Sequence, residues 1–169
     1  KSISIDPNYA KAYFNLGNAT HDLNLQGFGH LDDPIKYYQK SLEIDPGYAE
    51  AHNNIGNIFK DLGRLDEAND SFNKAINLKP EYIAAHYSLG IVSFDLGYYD
   101  KAKKCYKKAL EIDPNFPEVL NSLGNTYIEL DQIDNAVLTY QKAIEINPNF
   151  SEAYNSLGNI FLDQVKLED

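Results

Sequence analysis

The chain has 169 residues, of which 43% are hydrophobic and 24% charged, the make-up of a folded soluble protein rather than a disordered tail. With 15 basic against 25 acidic residues the formal charge is -10, so the average field repels phosphate backbones and anionic lipid heads; neither nucleic acid nor a membrane is an expected partner. No run approaches the roughly 18 consecutive apolar residues of a membrane span, and the single Cys105 cannot close an internal disulfide, which predicts a reducing, cytoplasmic setting.

Along the chain, Lys1 to Ile5 reads as the last turns of a helix, and residues 1–9 as the end of a repeat. The prolines then set the period: Pro46, Pro80, Pro114 and Pro148 are separated by 34 residues each, while Pro7 precedes Pro46 by 39. Residues 10–48 form the long repeat. Tyr13, Leu16, Gly17 and Thr20 fall on one arc of its first helix, at about 100° per residue. The five extra residues, around Asn24 to His30, are expected to lengthen only the turn, and Asp33-Pro34 to start the second helix with proline at its first position. Phe28 is expected to tuck against the repeat. Tyr38 and Ser41 follow on the buried stripe of that second helix.

The next three repeats, 49–82, 83–116 and 117–150, bring columns into register. Gly56, Gly90 and Gly124 align with Gly17, each after Ile or Leu, and Gly158 repeats the pattern in the partial repeat 151–169. Ala68, Ala102 and Ala136 align with Pro34; four residues on, Phe72, Tyr106 and Tyr140 align with Tyr38; then Ala75, Ala109 and Ala143 align with Ser41. The spacing predicts two amphipathic helices per repeat, the aromatic of the second filling the space left by glycine in the first. Gly63 and Gly97 are predicted to end first helices, Asp66, Asp100 and Asp134 to cap second ones, and the prolines to stop them. The absence of any Met predicts a fragment or a processed product.

Here the residues carry a resemblance. Ala49-Glu50-Ala51-His52-Asn53-Asn54-Ile55-Gly56-Asn57-Ile58-Phe59, then Leu62-Gly63-Arg64-Leu65-Asp66-Glu67-Ala68, Phe72, Ala75 and Pro80, is similar to the tetratricopeptide repeat consensus at nearly every diagnostic column. Departures are Pro34 in the small-residue column, Thr20 and Ser93 where a large aromatic is common, and the insertion. The resemblance implies an all-α fold, a right-handed superhelical solenoid of antiparallel helix pairs, and a partner-binding rather than catalytic role.

The resemblance also places the other face of each first helix on a concave wall. Among its 30 positions lie nine of the chain's 18 asparagines, where even spreading gives about three. Asn costs about 0.5 to 0.7 kcal/mol relative to Ala within a helix, so a compensating role is expected: Asn18, Asn53, Asn57, Asn121, Asn125, Asn155 and Asn159 would pair with the main chain of an extended peptide. The pattern is similar to the asparagine ladder in the repeat region of O-linked N-acetylglucosamine transferases, though no transferase domain is present. Tyr87, Ile91 and Phe94 form a central apolar patch on this wall and would seat a bulky side chain, while Asp61 and Asp95, in a carboxylate column with Asp22, Glu129 and Asp163, would disfavour acidic ligands. The expected partner is therefore a protein or peptide, neutral or basic, with an apolar anchor. The alternative is an architectural spacer or self-assembling segment of a larger protein, in which the Lys1–Ile5 end and the apolar face of the last helix stack end to end.

Other candidates are weaker. His52 and His86 share a column with Tyr13, Leu120 and Tyr154 and read as packed histidines rather than metal ligands. Lys101, Lys103, Lys104, Lys107 and Lys108 make a solvated basic face, and Cys105 among them is expected to have a lowered pKa without a catalytic partner. No phosphate loop, catalytic constellation or metal spacing occurs, so no enzyme activity, cofactor or metal is expected.

Overall fold

The computed structural model describes residues 9–27 and 32–168, and for 24, 32, 33 and 163–168 the backbone alone. Among the described residues every regular element is an α-helix: α1 (Ala10–Leu25), α2 (Asp32–Ile44), α3 (Ala49–Asp61), α4 (Leu65–Leu78), α5 (Ile83–Asp95), α6 (Tyr99–Ile112), α7 (Pro117–Glu129), α8 (Ile133–Ile146) and α9 (Ser151–Glu168). They pack as antiparallel pairs, α1 with α2, α3 with α4, α5 with α6 and α7 with α8. The chain divides into two compact units, Lys1–Ala85 and His86–Asp169.

Glycine and aromatic columns hold each pair together. A Cβ added at Gly17 or Gly56 would stand 2.6 Å from Cε1 of Tyr38 or Phe72, and at Gly90 or Gly124 it would stand 2.4 Å from Cε1 of Tyr106 or Tyr140. No methyl fits there. The four rings are 0 to 2% exposed, so the missing side chain of one helix is the seat of the ring on the other. The flanking small residues close the same seam: Ala68, Ala75, Ala102, Ala109, Ala136 and Ala143 are all 0% exposed. The atypical members also fit, for Pro34 is fully buried and Ser41 donates its hydroxyl to the Ala10 carbonyl at 2.9 Å. Thr20 returns its hydroxyl to the carbonyls of Leu16 and Gly17, both at 2.9 Å.

The turns after α3, α5 and α7 are Schellman motifs. After α3, Gly63 N–H bonds to Lys60 O at 2.9 Å and Arg64 N–H to Phe59 O at 2.8 Å, with Gly63 at φ +72°. Gly97 repeats this at φ +77°. After α7 the same bonds form around Asp131, at φ +56°, a non-glycine residue in the left-handed region. Two expectations need correction here. Asp66, Asp100 and Asp134 are not N-caps: Arg64, Tyr98 and Gln132 precede the helices, none making a side-chain cap bond. In so short a turn, the residue that completes one helix's Schellman motif also begins the next helix, which pushes each aspartate into the first turn, where it still favours the positive helix end. Pro34 is likewise the third residue of α2, not its first.

The insertion acts partly on the helix itself. Whereas α3, α5 and α7 each have 13 residues, α1 has 16 and overruns through Leu23, Asn24 and Leu25 before Gly27 turns at φ +85°. Phe28 lies outside the described residues. The prolines do stop the second helices, which end at Ile44, Leu78, Ile112 and Ile146. Three of those ends add an Asx turn, with the side-chain oxygens of Asp45, Asp113 and Asn147 accepting from the N–H two residues on at 3.0, 3.0 and 3.1 Å.

Candidate functional site

Each unit carries a cleft lined by residues of the asparagine-bearing face. In the first unit, Asn18, His21, Asp22, Tyr38, Asn54 and Asn57 line a polar cleft of about 390 Å³. The Tyr38 hydroxyl, emerging where its ring passes Gly17, donates to Asn18 Oδ1 at 2.7 Å; Asn54 Nδ2 donates to the same oxygen at 2.9 Å and to the tyrosine oxygen at 3.3 Å. Burial raises the Tyr38 pKa, opposed by the Asn54 bond and reinforced by Asp22, so the hydroxyl stays protonated at neutral pH.

The second unit holds a larger cleft, about 690 Å³, with a more apolar lining. Phe94, Ile128, Ile133 and Ile160 supply the apolar walls, Asn125, Ser156 and Asn159 the amides and hydroxyl, and Glu129, Asp131 and Asp134 the charge. Tyr140 spans its base: the hydroxyl donates to Asn125 Oδ1 at 2.6 Å, burial raises its pKa, and a hydrogen bond with Ser156 opposes that rise. Phe94 is held edge-on to Tyr99 at 5.3 Å. A smaller pocket of about 130 Å³ is lined by Ile91, Phe94, Tyr106, Ser122 and Asn125.

The predicted residues separate into two groups. Asn18 and Asn57 meet in the first cleft, and Phe94, Asn125 and Asn159 in the second; Ile91 is half-buried in the smaller pocket. Asp61 is exposed and lies 3.6 Å from Lys60, Asp95 and Asn155 are exposed, and Asn121 is half-buried with its Oδ1 buried and unpartnered. Asn53 corrects the expected wall, being only 4% exposed. Tyr87 is half-buried among rings, 6.1 Å from Tyr106 and 5.5 Å from Phe116. Phe14, at the corresponding place in the first repeat, sits 4.6 Å from Tyr48. In these two repeats the column packs against the aromatic residue that closes the repeat, directly before the next first helix. Tyr48 and Phe116 belong to an aromatic position that recurs every 34 residues in the sequence, with Tyr82 and Phe150, and that recurrence was the legible signal for the role.

The remaining candidates resolve on contacts. Glu50 is paired with Lys79 at 2.9 Å, which holds its carboxyl below the usual range. Of the basic face, Lys103 pairs with Asp100 at 2.9 Å and Lys108 with Glu111 at 3.0 Å, and Lys107 lies 5.9 Å above the Tyr127 ring. Cys105 is 8% exposed, and burial raises its pKa against the opposing charge of Lys101; the expected lowering is overturned because the thiol points inward while the lysines ring the outside. His86 is 8% exposed and His52 half-buried. No group of His, Cys, Asp and Glu among the described residues could hold a metal, and no described helix is long and apolar enough to cross a membrane.

The family model for the TPR repeat matches residues 56–97, 92–131 and 124–165, and that for the tetratricopeptide repeat matches 37–68. The chain belongs to the tetratricopeptide repeat family. Among solved structures, the crystal structure of MamA is similar over 90% of this chain and 86% of that one, with 30% identity and a TM-score of 0.78. MamA 41-end from Desulfovibrio magneticus RS-1, at 20% identity, shares the fold with a TM-score of 0.81 over 92% of this chain and 85% of that one. No curated protein matches significantly. Membership and fold support a protein–protein interaction scaffold.

Proposed function

We propose that this tetratricopeptide repeat protein binds an extended, neutral or basic peptide segment, with the cleft of the second unit seating one bulky apolar side chain. The observation that supports it is the meeting of Phe94, Asn125 and Asn159 in a cleft whose other apolar walls are Ile128, Ile133 and Ile160. Burying an apolar anchor there contributes about 1.5 to 3 kcal/mol. Each carboxamide–backbone hydrogen bond adds about 0.5 to 1.5 kcal/mol, and Glu129, Asp131 and Asp134 favour a basic residue beside the anchor. Tyr87 lies outside that cleft's lining, so the anchor falls to Phe94 and the three isoleucines.

Fluorescence anisotropy with short labelled peptides tests this. Basic peptides carrying one leucine or phenylalanine should bind, and the same peptides with alanine or with glutamates should not. Phe94→Ala, or Asn125→Ala with Asn159→Ala, should weaken binding at least about tenfold while leaving thermal unfolding near that of the parent. Unchanged binding in both variants means the asparagine-bearing face is not the working surface.

The spacer reading has one observation of its own. On α9, no atom of the described residues lies within 4 Å of where a Gly158 Cβ would be, and Tyr154, Phe161 and Leu162 are 51, 50 and 61% exposed, an apolar face that another helix would cover. The expected opposite end, residues 1–5, lies outside the described residues. Sedimentation that stays monomeric over a wide concentration range would remove end-to-end association.

A further inference from the structure

Asparagine can present either a carbonyl oxygen or an NH2 to a ligand, and which one it presents decides what it recognises. In this protein the choice is made on the second helix of the pair. The Tyr38–Asn18 distance is 2.7 Å and the Tyr140–Asn125 distance 2.6 Å, values at the centre of the O–H···O range and at or below the short limit for N–H···O. Each hydroxyl therefore donates to an amide oxygen. In the first unit its own acceptor capacity is taken by the next first helix, through Asn54 Nδ2. Asn18 Oδ1 is occupied twice over, by Tyr38 and by Asn54 Nδ2 at 2.9 Å, so turning that amide alone would set two NH2 groups against each other. Neither Asn18 Nδ2 nor Asn125 Nδ2 has a hydrogen-bond partner among the described residues, and both residues line clefts.

We propose that Tyr38 and Tyr140 are positioning residues, fixing the carboxamides of Asn18 and Asn125 with oxygen inward, so that these positions act as hydrogen-bond donors and select a ligand through its main-chain carbonyl groups. The proposal rests on the peptide-binding reading above but makes a separate claim about polarity. A generic asparagine wall would pair with backbone C=O and N–H alike; this one pairs with C=O. The column tolerates a ring lacking the hydroxyl, since Phe72 fills it in the second repeat at 0% exposure, so Tyr→Phe removes the clamp without emptying the seam.

The test has two arms. In isotope-labelled protein without ligand, Tyr140→Phe should shift the Asn125 side-chain carbonyl carbon as its acceptor bond is lost and leave hydrogen exchange of the Asn125 NH2 unchanged. Faster NH2 exchange with an unmoved carbonyl overturns the assignment, whatever the protein binds. In the second arm, the probe is a basic, leucine-containing short peptide and its backbone analogues. N-methylation, which deletes peptide donors, should leave affinity within about twofold at the position facing Asn125, whereas ester replacement, which weakens the carbonyl acceptor, should cost about 3- to 10-fold, as for loss of one hydrogen bond. In Tyr140→Phe the ester penalty should shrink while the fold is retained. Sensitivity to N-methylation but not to esters overturns the polarity assignment alone; failure of every probe to bind the parent chain overturns the peptide-binding reading.

Discussion

Gly124 and Gly158 sit in the same pentapeptide, Asn-Ser-Leu-Gly-Asn, at Asn121–Asn125 and Asn155–Asn159, and both are helical, yet replacing them by alanine should act in opposite directions. Local propensity is equal at the two sites: alanine gains about 0.8 to 1 kcal/mol over glycine in a helix interior. The surroundings differ. A Cβ at Gly124 would stand 2.4 Å from Cε1 of Tyr140, a ring only 1% exposed and tethered by its hydroxyl to Asn125 at 2.6 Å, whereas a Cβ at Gly158 meets nothing within 4 Å. Forcing a methyl against a fixed ring costs about 1 to 3 kcal/mol, so Gly124→Ala should lose up to about 2 kcal/mol net and Gly158→Ala should gain up to about 1 kcal/mol. Urea unfolding at unchanged m-value measures the first. Because a repeat array can open locally, amide hydrogen exchange within α9 is the sharper measure of the second. Equal effects of the two substitutions, or a stabilising Gly124→Ala, would refute the account of the glycine column as a ring seat.

Asp131→Gly should stabilise the protein by about 1 kcal/mol, since Asp131 pays for φ +56° at a place where Gly63 and Gly97 stand in the preceding repeats; thermal unfolding would show a raised midpoint, and an unchanged one would mean the turn is not strained. Ser93 is 0% exposed with its hydroxyl unpartnered, so Ser93→Ala should be neutral or stabilising by about 1 kcal/mol, whereas a clear loss in urea unfolding would reveal a partner for that hydroxyl. Burial, then Lys74, lowers the His52 pKa from 6.5, against an opposing hydrogen bond that the imidazole donates to the Pro46 carbonyl. The folded state thus binds its proton less readily than the unfolded chain. Stability is at its full value above pH 6.5 and falls as pH drops from there through the lower folded value. His52→Leu, which installs the residue that Leu120 supplies in the same column, should flatten the stability profile on that side, and an identical pH profile in the variant would count against a desolvated histidine.

The pairing of helices was legible because it is written at fixed spacing: the same 34-residue step that aligns Gly56, Gly90 and Gly124 aligns Phe72, Tyr106 and Tyr140, and a ring needs a missing side chain opposite it. Helix ends at Gly63 and Gly97 were legible for the same reason, and Asp131 could have been read from the identical spacing. The N-caps were not, because an aspartate near a helix start satisfies the composition rule whether it stands before the helix or in its first turn, and only the length of the turn decides. The wall was legible in part. A helical wheel gives the direction of Asn53, Tyr87 and Asn57 but not what packs over them: Tyr106 on the paired helix and Phe116 ahead of the next first helix enclose Tyr87, and Asn53 is only 4% exposed. The lysines around Cys105 misled for a related reason, since neighbours in sequence on a helix point in different directions.

The tripeptide Leu-Gly-Asn joins fold and recognition at one place on the helix. Glycine admits the ring, the ring carries its hydroxyl past the helix, and the hydroxyl arrives at the next residue, Asn18 or Asn125. A substitution at the glycine therefore disturbs stability and wall polarity together, because displacing the Tyr140 ring moves the group that holds Asn125. Tyr140→Phe separates the two, since it keeps the ring in its seat and removes only the contact that orients the amide. Gly124→Ala should then weaken the ester-sensitive component of peptide binding as well as the fold, while Tyr140→Phe should weaken that component with little effect on unfolding. Comparable losses of stability in the two variants would mean that the hydroxyl–amide bond holds the helices together rather than setting what the wall recognises.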